Sequence, residues 1–184
     1  MSAIPKQHLL TAEQFAALPR EGLRLELIRG EMLAMPPAYE DHGAAASRLE
    51  IILGHYILSH NLGRTYTAET GFLIARNPDT VRAPDFAFIQ TSRMPQTSDA
   101  VWGRVIPDLV AEVVSSGDRS KEVAEKVQMW LEVGVRLVLV ARPPERVIEV
   151  HRPGEPVLTL HEGDTLEGYA ILPGFTAPVA SFFG

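Results

Sequence analysis

The chain has 184 residues, 46% hydrophobic and 22% charged, with 23 acids against 17 Lys and Arg and a net charge of −6. That length and apolar content suit one cored domain and exclude a wholly disordered chain, while the acid surplus argues against a protein that coats nucleic acid by bulk attraction. No apolar run nears the roughly 20 residues of a membrane span, the first residues lack a signal-peptide core, and zero cysteines exclude disulfides, thiolate zinc and a cysteine nucleophile, so a cytoplasmic protein without a membrane partner is expected.

In chain order, TAEQFAAL over 11–18 predicts a short helix with Thr11 as N-cap, stopped before Pro19. Residues 1–10 read as a flexible N-terminus on a single domain, 1–184. LRLELIR, 23–29, alternates like a half-buried strand; Gly30 turns it into 31–35, and Pro36-Pro37 ends the hairpin. From 41 to 59, Ala45, Leu49, Ile52, Leu53, Tyr56 and Ile57 recur at helical spacing. Two strands follow, 66–76 and 81–89, joined by Asn77-Pro78-Asp79-Thr80. The polar stretch 90–104 reads as a long loop. Next come a strand at 107–114, a helix at 119–133 closed by Gly134, a strand at 136–141 and another at 147–152. Short strands with Pro-Gly and Gly-Asp turns finish the chain. This order predicts an α/β (α+β) fold, a mixed sheet flanked by helices, with an N-terminal hairpin and C-terminal β additions.

Carboxylates interrupt the most apolar strands. PDLVAEVV, 107–114, reads as a strand covered on both faces, yet period two sets Asp108 and Glu112 on one face with Val110 between them. An ionised carboxylate buried alone costs several kcal/mol, so Glu112 calls for a cation, hydrogen-bond donors or a metal. Asp85 interrupts APDFAFI in the same way. If the two strands are neighbours, Asp85 and Glu112 converge on one hard divalent cation. The competing structural readings are strand-start acids after proline for Asp85 and Asp108, favoured for Asp108, and a salt bridge to arginine for Glu112.

Only three residues are lysine: Lys6, Lys121 and Lys126. On a helical wheel of about 100° per residue, Lys126 falls about −60° from Val123, between Trp130 at about −20° and Val133 at about −80°. Lys121, Glu125, Gln128 and Glu132 share the solvent face. An inward ammonium is either a snorkelling stem or a group with a task. Because its helix follows the Glu112 strand directly, packing back onto the sheet brings Lys126 toward Glu112 and Asp85. Two carboxylates for Mg²⁺ and a lysine that orients water and stabilises phosphorane charge fit phosphodiester hydrolysis.

The ordered segments LTAEQFAALP, LRLELIRGEMLAMPP, APDFAFI, PDLVAEVVS, EKVQMWLEVGV, LVARPPERVIEVHRPG and LPGF, spanning about 10–183, resemble a bacterial family called "putative restriction endonuclease" or a domain of unknown function, within the PD-(D/E)XK nuclease-like superfamily. The resemblance implies a restriction-endonuclease-like fold in which Asp85 matches the PD acid and Glu112 the second acid, both holding Mg²⁺, with Mn²⁺ as the alternative ion. The superfamily lysine, two residues past the glutamate, is replaced here by Val114; the resemblance puts Lys126 of the next helix in that role. Ser115 is implied to shape the site, and Glu26 and His42 match recurrent positions. For Glu26 the resemblance implies an auxiliary ligand or base, against an exposed acid beside Arg24; for His42 a satisfied inward histidine is the commoner explanation. Glu50 ranks below Glu26.

The leading expectation is therefore a Mg²⁺-dependent endonuclease acting on nucleic acid, DNA first, as a homodimer if both strands are cut at once. The alternative is a non-catalytic nuclease-fold module for binding or assembly. A third reading, a structural acid–lysine cluster, requires a direct Glu112–Lys126 ion pair and no cleft to solvent. Arg82, Arg93, Arg104 and Arg119 are expected to supply phosphate contacts. The aromatic residues read as core, without a stacking platform for single strands.

Overall fold

The computed structural model describes residues 9–19, 22–35, 37–94 and 100–184. Residues 1–8 of the expected N-terminal arm, Pro36 of the proline pair and 95–99 of the expected loop lie outside the described residues. Helix α1, Ala12–Ala16, starts with a capping box: Gln14 N donates to Thr11 Oγ1, and Thr11 N to Gln14 Oε1. Leu10 N, just before it, donates to Gly30 O at 2.8 Å. Strands β1, Arg24–Ile28, and β2, Glu31–Met35, form the expected hairpin. Its two turn residues, Arg29 and Gly30, both take positive φ (52° and 81°), the backbone twist that a two-residue hairpin favours. Helix α2 then runs over Glu40–Ser59.

The strands expected at 66–76 and 81–89 each divide in two. Strands β3, Gly63–Thr67, and β6, Phe86–Gln90, pair with each other, as do β4, Phe72–Ala75, and β5, Thr80–Arg82, but in different sheets. Pro84 explains the break between β5 and β6, because it has no N–H for a ladder. Asp85 therefore sits at a joint between two sheets. The remaining elements follow the expected order: β7, Leu109–Val113; α3, Ser120–Glu132; β8, Leu137–Arg142; β9, Val147–His151; then β10, Leu158–Leu160; β11, Thr165–Glu167; and β12, Thr176–Pro178.

The main sheet has the order β10-β9-β8-β7-β6-β3 and is antiparallel except for β7 and β8, which α3 connects in parallel. Alternation on β7 sends Leu109, Ala111 and Val113 to a core with α2 and the C-terminal additions. Val110 and Val114 face the α3 side, with Val127 and Trp130. The smaller sheet, β2-β1-β5-β4, packs Leu27 and Val81 on α1 and Trp102. Phe15 of α1 stacks on Trp102, ring centroids 5.4 Å apart. Among the described residues, no helix is long and apolar enough to cross a membrane.

Candidate functional site

Register brings the acids together. Strands β6 and β7 pair Phe86 with Ala111 antiparallel, so one residue further Asp85 stands opposite Glu112. Parity on both strands turns these side chains to the α3 face, where Ala87 and Val110 also lie. Glu112 is buried, Asp85 keeps only 8% of its side chain exposed, and Val113 N donates to Asp85 Oδ2 at 2.9 Å. Helix α3 supplies the third member: Lys126 Nζ lies 2.7 Å from Glu112 Oε2, with its side chain 20% exposed. Four residues on, Trp130 Nε1 donates to Glu112 Oε1 at 2.8 Å. The expected inward face of α3 is thus present.

Two further groups hold Asp85. His42, near the start of α2, places Nε2 3.2 Å from Oδ2, and Arg24 of β1 places a guanidinium nitrogen 3.4 Å from Oδ1. The two carboxylates respond differently. Burial pushes the Asp85 carboxyl up, but His42, the Lys126 charge and the Val113 amide outweigh it and hold it down to about 2. Burial also pushes Glu112 up; Lys126 and Trp130 oppose this, the Asp85 charge adds to it, and the carboxyl stays above its ordinary range. All three residues line a cleft of about 680 Å³ between the α3 side of the main sheet and the β1–β2 hairpin. The direct Glu112–Lys126 pair of the third reading exists, but beside a cleft that this reading excludes.

The other expected residues differ in placement. Glu26 is 3% exposed, not the open acid beside Arg24 that strand alternation also allowed. Ala83 N donates to its Oε1 at 2.9 Å, and Arg82 Nη1 lies 3.2 Å from Oε2, close enough for charge pairing but misaligned for a hydrogen bond. Ser115 lines the cleft, its amide held by Asp118 Oδ2 at 2.8 Å. His42 is inward as expected, yet its Nδ1 is buried without a hydrogen bond among the described residues. Glu50 is exposed on α2, outside the cleft. Asp108 takes the structural role: fully buried, it pairs with Arg93 and Arg136 and accepts Gln90 N.

The four arginines expected at phosphates take different places. Arg82 is buried against Glu26, Arg93 is tied to Asp108, and Arg119 leans on Glu122 at 3.5 Å. Arg104 lines a separate shallow depression beside Arg76. Sequence reasoning missed Arg24 as a partner of Asp85, Trp130 as a donor to Glu112, and Asp118. The second was accessible, since Lys126 and Trp130 are four apart on one helix face; the Ser-x-x-Asp spacing of the Ser115 turn was a signal for the third. Tyr39 also departs from its reading as core: it is 64% exposed at the cleft mouth.

Among the described residues, no group of three or more His, Cys, Asp and Glu is arranged to hold a metal. The opposed pair nonetheless suits a hard divalent cation. Mg²⁺ is commonly held by one or two carboxylates, with water and substrate phosphate completing its shell, and positive charge between Asp85 and Glu112 would relieve their repulsion.

A family model described as "Putative restriction endonuclease" (Uma2) matches residues 12–180. The chain belongs to this family. Its fold is similar, with a TM-score of 0.82, to the crystal structure of "a putative nuclease belonging to DUF820" from Anabaena variabilis ATCC 29413. The two chains are 18% identical over 95% of this chain and 97% of that one, a likeness of fold. No curated protein sequence matches the chain. The mixed sheet flanked by helices is thus the architecture of an Uma2 family member and of a nuclease-like relative.

Proposed function

We propose that this Uma2 family member is a Mg²⁺-dependent nuclease, with Mn²⁺ able to substitute, that hydrolyses phosphodiester bonds in DNA. One observation carries the reading: opposed acids Asp85 and Glu112 and the inward Lys126 meet in an open cleft. Asp85 and Glu112 would hold the ion. When bound, it supplies a Lewis acid for the phosphoryl oxygen and eases formation of the hydroxide nucleophile. Lys126 orients the attacking water and donates to the phosphoryl oxygens as negative charge builds. His42 fixes the Asp85 carboxylate through Nε2. Glu26, held by Arg82 and the Ala83 amide, and Ser115, held by Asp118, shape the walls. Cutting both strands of a duplex at once calls for two copies of the chain.

The test is cleavage of single- and double-stranded DNA and RNA with Mg²⁺ or Mn²⁺. Wild type is expected to cut, and Lys126→Ala to lose cutting while its circular dichroism is retained. A wild type inert toward every substrate overturns the reading. A second reading, a non-catalytic binding or assembly module, is favoured by Glu112 having both oxygens engaged, by Lys126 and Trp130. Calorimetric titration with Mg²⁺ separates the two: the enzyme loses ion binding in Glu112→Gln, whereas a module is indifferent.

A further inference from the structure

The walls of the cleft describe its occupant more narrowly than the triad does. Register on the hairpin sets Arg24 opposite Met35 and Glu26 opposite Leu33, so the cleft-facing side of β1 and β2 is polar next to Asp85 and apolar toward the β2 edge. Leu23, Leu33 and Tyr39 extend this apolar lip, 54%, 45% and 64% exposed. The opposite wall carries Val123 and Met129 of α3. A lip of this kind suits the faces of bases and is a poor surface for a duplex, which presents phosphates outward.

Charge points the same way. Exposed acids Glu69, Asp118, Glu122 and Glu125 stand around the rim. Lys121 and Arg119, the nearby cations on α3 and at its start, lean on Glu125 and Glu122. Arg82 is committed to Glu26. A duplex binder needs a long track of cations at phosphate spacing; the cleft is lined by a short group instead, Arg24, the exposed Arg29 of the hairpin turn, Lys126 and the buried Arg82. Arg24 differs: its side chain is 30% exposed, and against Asp85 it makes one contact of 3.4 Å, leaving other donors of its fork for a phosphate. The volume, about 680 Å³, is that of a small-ligand pocket, about 300–1,000 Å³, and suits a short strand segment.

We propose that the cleft takes a single nucleic-acid strand, with Arg24 holding one phosphate beside the Asp85–Glu112–Lys126 constellation and Tyr39 stacking on a base at the mouth. This rests on the nuclease reading and names its substrate form. The strand enters over the hairpin lip, its bases against Leu33 and Tyr39 and its backbone toward Arg24 and Lys126.

The experiment measures fluorescence anisotropy of a labelled 12-nucleotide DNA strand and of the same sequence as a blunt duplex, with Ca²⁺ in place of Mg²⁺, beside cleavage assays in Mg²⁺. The single strand is expected to bind at least tenfold tighter. Each phosphate contact on a single strand contributes about −0.7 to the slope of log affinity against log salt, so Arg24 and Lys126 together give about −1.4. Arg24→Ala and Tyr39→Ala each weaken strand binding about tenfold, whereas Arg24→Lys and Tyr39→Phe retain most of it. Duplex bound or cut as well as the strand, a slope steeper than about −4, or no response to either alanine variant overturns this inference and leaves the nuclease reading standing. A wild type that neither binds nor cuts any nucleic acid overturns both.

Discussion

Asp108 and Glu112 share one strand face and yet divide into different roles, because their partners differ. Asp108 is fully buried and neutralised by Arg93 and Arg136 at the edge of the loop after β6. Glu112 meets Lys126 and the Trp130 indole beside an open cleft. Asp108→Ala is expected to cost about 1–3 kcal/mol, chiefly by leaving the Gln90 amide without its acceptor, since the Arg93 and Arg136 side chains still reach water; urea denaturation measures this, while the cleavage rate of the folded fraction stays near wild type. Trp130→Phe removes one donor to a buried carboxylate and leaves a cavity where the second ring of the fully buried indole packs, a combined loss of about 2–4 kcal/mol in the same measurement. The strand pattern made Glu112 conspicuous, and the wheel separated Lys126 from Lys121. Neither could assign Glu26, where burial against Arg82 replaced the exposed position that alternation also allowed.

At the scale of elements, α1 is anchored from far away. Its first amide, Ala12 N, donates to Asp79 Oδ2 at 2.7 Å, and Asp79 also takes the Asn77 amide and the Arg76 guanidinium in the β4–β5 turn. The Ala12 amide bond is the main cause of an Asp79 carboxyl held below its ordinary 3.8, with burial opposing and Asn77 and Arg76 assisting. A depressed folded value means that the ionised form stabilises the fold above about pH 4 and that this contribution fades as pH falls through the folded value. Melting temperature followed from pH 7 downward is expected to drop more steeply below pH 4 in wild type than in Asp79→Asn, which starts lower. Thr11→Ala removes one half of the capping box and is expected to cost about 1 kcal/mol. The helix and its cap were legible because capping is local; the Asp79 anchor was not, because it spans two elements separated by 67 residues.

For the whole molecule, the main sheet, the hairpin sheet and α3 meet around one cleft, so ligand binding there couples to global stability. A cation bound by Asp85 and Glu112 in the folded state alone raises stability by about 2.7 kcal/mol at 100 times its dissociation constant. Mg²⁺ is therefore expected to raise the melting temperature of wild type and to leave that of Glu112→Gln unchanged, a readout independent of cleavage. The strands expected at 66–76 and 81–89 show how the larger scale escaped sequence reasoning. Their apolar content was plain, but Pro84 and the Gly71 approach to Trp102 divide them between two sheets and create the joint where Asp85 sits. Likewise Arg82 and Arg93 face acids whose positions depend on the assembled fold, whereas Arg119 pairs locally with Glu122 in the first turn of α3.

By itself the sequence determined what periodicity can encode: the order of helices and strands, the inward face of α3, and the shared face of Asp108 and Glu112. These follow from backbone geometry over a few residues. Only the tertiary structure decided that Asp85 stands opposite Glu112, that Lys126 reaches Glu112, that Arg24 and His42 hold Asp85, and that Tyr39 stays at an open mouth. Such pairings depend on strand register and on side chains brought together across long stretches of chain, where local pattern fixes which face a residue takes but not what waits on the other side.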